Sequence, residues 1–280
     1  MLKALGIENQ VISMTTDTAA NMKNGVIVHM APQIQWLGCG CHKTELTVQK
    51  FVNTPGLKET LKRFTKVAGH LHKSALSLGA FFEAQKLRFP TKTPARIPTG
   101  CVTRWWSWLS MLTVSLEHKS SVLHTVELAN ERSKVDIVLQ DVDWTNAASM
   151  VRMLEPFASA VETMEGDYLG LAEVPCIMNV LNDHIQKESA AFTQGPFRVA
   201  GKAMLVDHED RWENVPAVMK MASALSARTK DLEWLSDAEQ KQWRDLLVEE
   251  LKVLFTRDID AEKAADSSSA DNGCAGGGAG

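Results

Sequence analysis

Two short apolar runs near the start of the chain predict β-strands. Residues 11–16 are mostly apolar or β-branched and end directly before Asp17, which is the pattern of a buried strand that delivers an acid at its carboxyl end. Residues 34–38 form a second candidate strand. The segment from Asp17 to Asn21 predicts a turn into a helix, because Asp and Thr are favourable helix N-caps. The chain is therefore predicted to open with β and then α structure.

From residue 57 onward the apolar positions recur every three or four residues, which predicts an almost entirely helical remainder. Residues 89–100 are the exception, because three prolines within nine residues preclude regular structure. The Ser-, Gly- and Ala-rich residues 263–280 are predicted to be a disordered tail. Helices are predicted at residues 57–71, 76–87, 103–126, 144–164, 175–188, 195–206, 214–225 and 237–256.

Composition narrows the class of protein. With 280 residues and 45% hydrophobic content, the chain can bury a core. It has neither a signal peptide pattern nor an apolar run of the roughly 18 residues that a transmembrane helix needs. We therefore expect a soluble, intracellular protein with no membrane partner. Free thiols are expected at all five cysteines, Cys39, Cys41, Cys101, Cys176 and Cys274.

Charge is distributed unevenly, although the net charge is only −4. Residues 43–104 contain twelve Lys or Arg against three glutamates, a local balance of +9. We call these residues the basic block. Such a block is typical of a nucleic-acid surface, because contacts with phosphates supply much of the affinity. The alternative is a set of solvated helix faces. The candidate DNA-binding residues in it include Lys58, Lys62, Arg63 and Lys66.

Asp17 is a candidate metal ligand. Nucleases of the ribonuclease-H-like fold hold two divalent metals, roughly 3.5–4 Å apart, on carboxylates at strand ends. An aspartate before Thr-Ala-Ala-Asn is also an ordinary helix cap. The residue type and its position leave both roles open.

The sequence Cys39-Gly-Cys41-His42 follows the second predicted strand and suggests a zinc site. Structural zinc needs four ligands, usually in two spaced pairs, and only His70 and His72 lie near enough along the chain to complete the set. A buried packing cluster of thiols and imidazole is the interpretation we favour.

Three tryptophans and an arginine stand at the predicted start of the helix at 103–126. Trp105 and Trp108 share a helix face, which favours burial. The functional alternative is that one indole stacks on an exposed or flipped base while Arg104 binds phosphate.

Five motifs occur in an order that resembles the transposases of the hAT superfamily. The first is a strand that ends in Asp17 and is followed by Asn21-Met, and the second is Cys39-x-x-His42. Thr-Arg104-Trp105 is similar to the family's Thr-Arg-Trp motif. Residues 144–157 resemble a helix that contains Leu-x-Pro-Phe, and residues 222–230 resemble a segment with the pattern Ala-x-x-Leu-x-Pro-Arg-x-Lys. The resemblance spans about residues 7–235.

The resemblance implies an α+β, predominantly helical fold: a partial ribonuclease-H-like core interrupted by a large all-α insertion. It divides the chain into a partial core at 1–56, a helical insertion at 57–210, C-terminal helices at 211–262 and the tail. Asp17 matches the second catalytic acid, with Asn21, Cys39 and His42 as structural motif residues. Arg104 and Trp105 match the insertion pair associated with the hairpin step of DNA cleavage. Mg²⁺ or Mn²⁺, DNA, a homo-oligomer and the nucleus are the family's cofactor, partners and location.

The departures from the family are equally specific. Sixteen residues precede Asp17 and contain one acid, Glu8, whereas the family's first acid lies well upstream. The third acid, a glutamate, is expected beyond the Gly-rich tail, and the BED-type zinc finger is missing. Ser226-Ala227 stands where Asp-Pro is usual, and Trp106 replaces an Asn.

We therefore expect a transposase-derived fragment that binds DNA weakly and without sequence specificity, carries no bound metal and is catalytically inactive alone. One alternative is an active cut-and-paste transposase whose remaining parts are truncated in the gene model. The other is a helical protein-interaction scaffold.

Overall fold

The chain opens with a small parallel β-sheet. In a computed structural model, which describes residues 11–29, 34–100, 105–133, 136–167, 169–192, 194–249 and 252, β1 (Ser13–Thr16) pairs in parallel with β2 (Gln35–Gly38). The register runs from Ser13 opposite Gln35 to Thr16 opposite Gly38. Helix α1 (Ala20–His29) connects the two strands. Both predicted strands, and the predicted order of β then α, are confirmed.

Helices make up most of the remaining described residues, so the prediction of a predominantly helical α+β protein is confirmed at this level. Each predicted helical segment from residue 57 onward contains helix, and residues 89–100 form no regular element, as the prolines predict. The helices are α2 (Gly40–Val52), α3 (Pro55–Lys73), α4 (Ala75–Arg88), α5 (Trp105–Glu117), α6 (Lys119–Ser133), α7 (Asp141–Glu165), α8 (Val174–Ala190), α9 (Pro196–Trp212), α10 (Ala217–Leu225) and α11 (237–249).

The single long helix predicted at 103–126 is wrong, because the helix breaks at His118. His118 is buried, and the rings of Phe81 and Phe89 meet its imidazole edge-on at 6.2 and 5.8 Å. Before the break, α5 packs on α7, whereas after the break α6 packs on α4. The apolar spacing continues across the break, and no Gly or Pro marks it, because the break follows from tertiary packing and not from local propensity.

Gly195 and Pro196 fix the beginning of α9. Gly195 has a φ of 87°, a left-handed conformation that glycine adopts without strain. Pro196 follows at the first helical position, where its missing N–H costs no hydrogen bond. The predicted helix start near residue 195 is therefore confirmed.

The main helical core is formed where α2, α3, α7 and α9 pack together. Phe51 of α2 meets Phe197 of α9 edge-on with ring centroids 5.2 Å apart, and Phe64 of α3 meets Trp144 of α7 at 5.1 Å. Such edge-to-face pairs contribute about 0.5–1.5 kcal/mol beyond the burial of the rings themselves. These contacts hold α2 in place, and α2 begins at the carboxyl edge of the sheet.

Polar contacts add to the attachment of α2 to α9. The Thr47 hydroxyl donates to Asp207 at 3.0 Å. Lys43 Nζ donates to the carbonyl of Arg211 at 2.9 Å and lies 4.2 Å from the ring centroid of Trp212. The ammonium thus binds the carboxyl end of α9, where helix carbonyls lack internal partners. Its pKa is lowered, mainly because it is largely buried.

The chain forms two compact units, one of residues 1–169 with 177–214 and one of residues 170–176 with 215–280. In the second unit, the buried Ser223 hydroxyl donates to the carbonyl of Ala172 at 2.6 Å. The domain boundaries predicted at residues 56 and 210 stay predictions. The predicted tail, residues 263–280, lies outside the described residues.

None of the helices in the described part of the chain has the length and apolar content needed to cross a membrane.

Candidate functional site

Asp17 and His42 meet at the carboxyl edge of the small sheet. Because β1 and β2 are parallel and in register, the residues that follow them emerge at the same edge. The Cys39 amide donates to the carbonyl of Thr16 at 2.7 Å, which extends the strand pairing by one residue. His42, on the first turn of α2, then brings its Nε2 to 3.5 Å from Asp17 Oδ1. This arrangement is the one predicted from the two apolar runs. We call the Asp17, Cys39, Cys41 and His42 group the sheet-edge cluster.

Asp17 also closes the turn into α1. Its Oδ1 accepts a hydrogen bond from the Ala19 amide at 2.9 Å, and its side chain is 52% exposed. This contact agrees with the helix-capping role, one of the two roles that the sequence left open for Asp17. The same oxygen, Oδ1, also faces His42. Asn21 lies exposed in the first turn of α1.

The His42 imidazole lies between two carboxylates. Its Nδ1 is 3.8 Å from Glu45 Oε2, whereas Asp17 is near the opposite ring nitrogen. Sequence reasoning did not select Glu45, although its position three residues after His42 on a helix would have indicated the contact.

The residues considered for the alternative zinc site have other partners. His70 Nε2 lies 2.8 Å from the Ser77 hydroxyl, and His72 Nε2 lies 2.9 Å from the carbonyl of Ile97. Within the described ranges, no three His, Cys, Asp or Glu side chains are grouped to hold a metal ion. His70 instead contacts α4, and His72 contacts the loop that follows α4.

Cys39 is the residue directly before α2, and Cys41 lies in the first turn of this helix. Both are partly exposed, so the prediction of a buried packing cluster is wrong on burial. The proximity of Cys41, against the opposing effect of burial, lowers the pKa of Cys39 to about 6. The pKa of Cys41 is raised, first by the proximity of Cys39, then by burial, by the charge on Cys39 and by Glu165.

Trp36 of β2 makes two further contacts near this edge of the sheet. Its indole Nε1 donates to the Thr16 hydroxyl at 2.8 Å, and Lys23 of α1 lies over its ring at 5.1 Å. Sequence reasoning missed both residues, because neither belongs to a motif.

The predicted DNA-binding residues on α3 differ in their intramolecular partners. Lys62 is paired with Glu59 at 2.7 Å, and Lys66 donates to the carbonyl of Asp136. Lys58 is exposed on the same helix. All three of these lysines keep exposed side chains, and exposed ion pairs exchange readily with water.

Arg63 differs from the three lysines because its partner is a buried acid. Its guanidinium reaches Asp143 of α7 at 2.8 Å, and the Asp143 side chain is only 2% exposed. The same carboxylate accepts from the Gln140 amide at 2.8 Å and from the Thr60 hydroxyl at 3.3 Å. Arg63 therefore neutralises a buried acid and is the least available of the four to a phosphate.

The rest of the basic block is spread over other elements. Lys86 pairs with Glu83 within α4, and Lys92 of the following loop lies 3.7 Å from Glu117 of α5. Arg88 donates to the Ser120 hydroxyl at 2.7 Å.

Trp105 is part of the core, with 3% of its surface exposed. Its ring stacks on that of Trp106, with centroids 4.2 Å apart and planes tilted by 19°. Trp108 is half-buried beneath the proline-rich loop, where a Cβ on Gly100 would lie 2.6 Å from its ring. Arg104 lies outside the described residues, so its predicted phosphate contact stays a prediction.

Comparisons with protein-family models, with curated proteins and with solved structures give no match. The function has to follow from the chemistry of these residues.

Proposed function

We propose that the chain is a fragment related to hAT transposases, with a partial ribonuclease-H-like core, that binds DNA weakly and does not cleave it alone. The observation that carries the proposal is the parallel β1–α1–β2 unit, in which Asp17 and His42 emerge at one edge with Nε2 and Oδ1 3.5 Å apart. The resemblance includes an acidic strand end followed along the chain by a Cys-x-x-His motif, and the apolar run before each motif predicts that the two lie on neighbouring strands. Asp17 and His42, which are 25 positions apart in the sequence, thus meet in space.

The donor set at this edge does not fit the family's Mg²⁺ or Mn²⁺ centre. Asp17 is the one residue here that matches a catalytic acid, and the imidazole of His42 separates it from Glu45. A two-metal centre needs several carboxylates to offset the charge of both ions. We therefore derive no cleavage step from this chain, and propose that it carries no resident metal.

DNA binding would rest on the lysines of α3. Lys58, Lys62 and Lys66 recur at a spacing of four residues and so share one helix face, and all three are exposed. Each phosphate that they neutralise would release counterions and contribute about −0.9 to the slope of log affinity against log salt. Three lysines therefore support weak, nonspecific binding that falls steeply with salt, and Arg104 would add to it.

The experiment is the binding of a fluorescently labelled duplex, followed by anisotropy between about 50 and 200 mM salt. The double variant Lys58→Glu/Lys62→Glu is expected to weaken binding at least about tenfold at low salt and to reduce the slope by about 2. The matched control is Lys230→Glu/Lys241→Glu, which changes the net charge equally in the other unit and at exposed positions. Equal losses in both variants would indicate an effect of net charge alone. Unchanged affinity in the α3 variant, also when combined with Arg104→Ala, would remove DNA binding from the proposal.

A second candidate, a helical scaffold for protein partners, is favoured by one observation. Lys62, Arg63 and Lys66 all have intramolecular partners, and the remaining basic residues are spread over several elements. The same titration separates the two functions, because a scaffold of this kind would give no salt-dependent DNA binding.

A further inference from the structure

Three exposed cations outside α3 converge on the break between α5 and α6. Arg88 of α4 donates to the Ser120 hydroxyl at 2.7 Å, and Lys92 of the following loop lies 3.7 Å from Glu117. Lys119 stands at the break itself, as the first residue of α6. We call Arg88, Lys92 and Lys119 the break patch. We propose that the break patch is a second phosphate-contact surface for the same DNA that the lysines of α3 bind, an inference that rests on the proposed function.

The break patch is compact, although its members come from three parts of the chain. Glu117, Lys119 and Ser120 lie within four successive residues, so their Cα atoms are at most about 11 Å apart. The ring of Phe89 joins the other two cations, because Arg88 Cζ lies 5.9 Å and Lys92 Nζ 5.3 Å from its centroid. Cations that are distant in the sequence therefore share one surface.

The charges of the break patch are available to an anion. Arg88 donates to a neutral hydroxyl, and Lys119 lies over the face of Trp144, 5.1 Å from the ring centroid. Lys92 faces an acid, but both side chains of this pair are more than half exposed, and exposed pairs exchange readily with water. None of the three has to neutralise a buried carboxylate, which is the role of Arg63.

The break patch borders the helix that carries the proposed DNA-binding lysines. The ring of Trp144, beneath Lys119, meets Phe64 of α3 edge-on with centroids 5.1 Å apart. Arg63 of α3 binds Asp143, the residue directly before Trp144. A duplex presents one phosphate per strand for about every 3.4 Å of its axis, so a stretch of about 20 base pairs is long enough to reach both surfaces.

The chemistry of the break patch suits a polyphosphate backbone. Phosphate contacts require positive charge at intervals along a surface and no enclosed pocket, which is how these three cations are arranged. Arg88 also offers a planar guanidinium, which matches the oxygens of a phosphate. The occupant that we infer is therefore duplex DNA, held through its backbone and without reading its sequence.

The first test is the double variant Arg88→Glu/Lys119→Glu of the full chain, titrated with a labelled duplex of about 20 base pairs. Affinity at low salt is expected to fall at least about tenfold, and the slope of log affinity against log salt should fall by about 2. The matched control is Lys187→Glu/Lys202→Glu, which makes the same change of charge at exposed positions of α8 and α9 in the same compact unit. Equal losses in the two folded variants would overturn the inference.

Acetylation of lysines in the wild-type chain gives a second readout that needs no variant. With saturating duplex, acetylation of Lys92 and Lys119, followed by mass spectrometry, is expected to slow severalfold, whereas Lys187 and Lys202 should react as in the free protein. Protection of the α3 lysines without protection of Lys92 and Lys119 would overturn this inference and leave the proposed function intact. A chain that binds no duplex at all would remove the proposed function, and the inference with it.

An acidic protein is the other class of partner that a positive surface attracts. Poly-glutamate in place of DNA tests it in the same acetylation experiment. Protection of Lys92 and Lys119 by poly-glutamate, with none by the duplex, would overturn the assignment to DNA.

Discussion

Arg63 Nη1 lies 2.9 and 2.8 Å from the two carboxylate oxygens of Asp143. The two residues are 80 positions apart in the sequence, and the contact ties α3 to the first turn of α7. Arg63 is 40% exposed, whereas Asp143 is almost fully enclosed. The charge of Arg63 therefore serves mainly to make the buried carboxylate tolerable.

Replacement of Arg63 by Ala is expected to destabilise the fold by about 2–3 kcal/mol. Removal of one partner leaves Asp143 buried without its counter-charge, although two other hydrogen bonds to it remain. Urea unfolding measures the loss. The control is Lys62→Ala, which breaks an exposed pair with Glu59 and should change the stability by about 0.5 kcal/mol or less. If the free energy of unfolding falls equally in both variants, the buried pair contributes no more to stability than the exposed pair.

The double variant Arg63→Ala/Asp143→Asn sharpens this test. Neutralising the buried carboxylate should restore part of the stability that Arg63→Ala loses, because no unpaired charge then remains. A strictly additive loss would contradict the assigned role of Arg63.

Trp105→Ala is expected to lower the free energy of unfolding by about 3–5 kcal/mol, the usual cost of emptying a large aromatic site. The neighbouring Trp106→Ala should cost clearly less, because Trp106 is only half-buried. Chemical denaturation of both variants gives the comparison. A near-neutral Trp105→Ala whose DNA affinity collapses would assign the indole to base stacking instead.

The purified chain should show no Mg²⁺- or Mn²⁺-dependent cleavage of labelled terminal-repeat DNA. Asp17 alone matches a catalytic acid, and its Oδ1 is engaged by Ala19 and His42. Cleavage above background that disappears in Asp17→Ala would show that the active-transposase alternative is correct. Cleavage that persists in Asp17→Ala would point to a contaminating nuclease.

Stability should fall as the pH drops below about 6.5, partly through His208. This histidine is buried in α9 with its Nε2 2.9 Å from the carbonyl of Met178, and burial lowers its pKa below the ordinary value of about 6.5 for histidine. The unfolded chain therefore takes up the proton first. The stability from neutral His208 is fully present above its unfolded pKa and is lost as the pH falls towards the lower folded pKa.

The measurement is the free energy of unfolding between pH 7 and pH 5. His208→Gln should flatten this dependence, since the titrating group is removed, even though the variant itself is less stable. His124→Gln, at an exposed position, is the control and should leave the slope unchanged. Parallel pH profiles for wild type and His208→Gln would refute the assignment.

The sequence by itself determined most of the local elements, although α2 was not among the predicted helices. The apolar runs before Asp17 and Cys39 are strands, and the spacing of three and four residues after residue 57 marks helices, because both patterns follow from backbone geometry alone. The proximity of Asp17 to His42 was also predictable, since parallel strands end at a common edge.

Only the tertiary structure decided how these elements use their side chains. It broke the predicted long helix at His118, where α5 and α6 turn to different partners. It assigned Arg63 to Asp143 and buried Trp105, and it left Cys39 and Cys41 partly exposed at the start of α2. A residue's periodicity gives its face on a helix, but its burial and its charge partner depend on which distant element packs against that face.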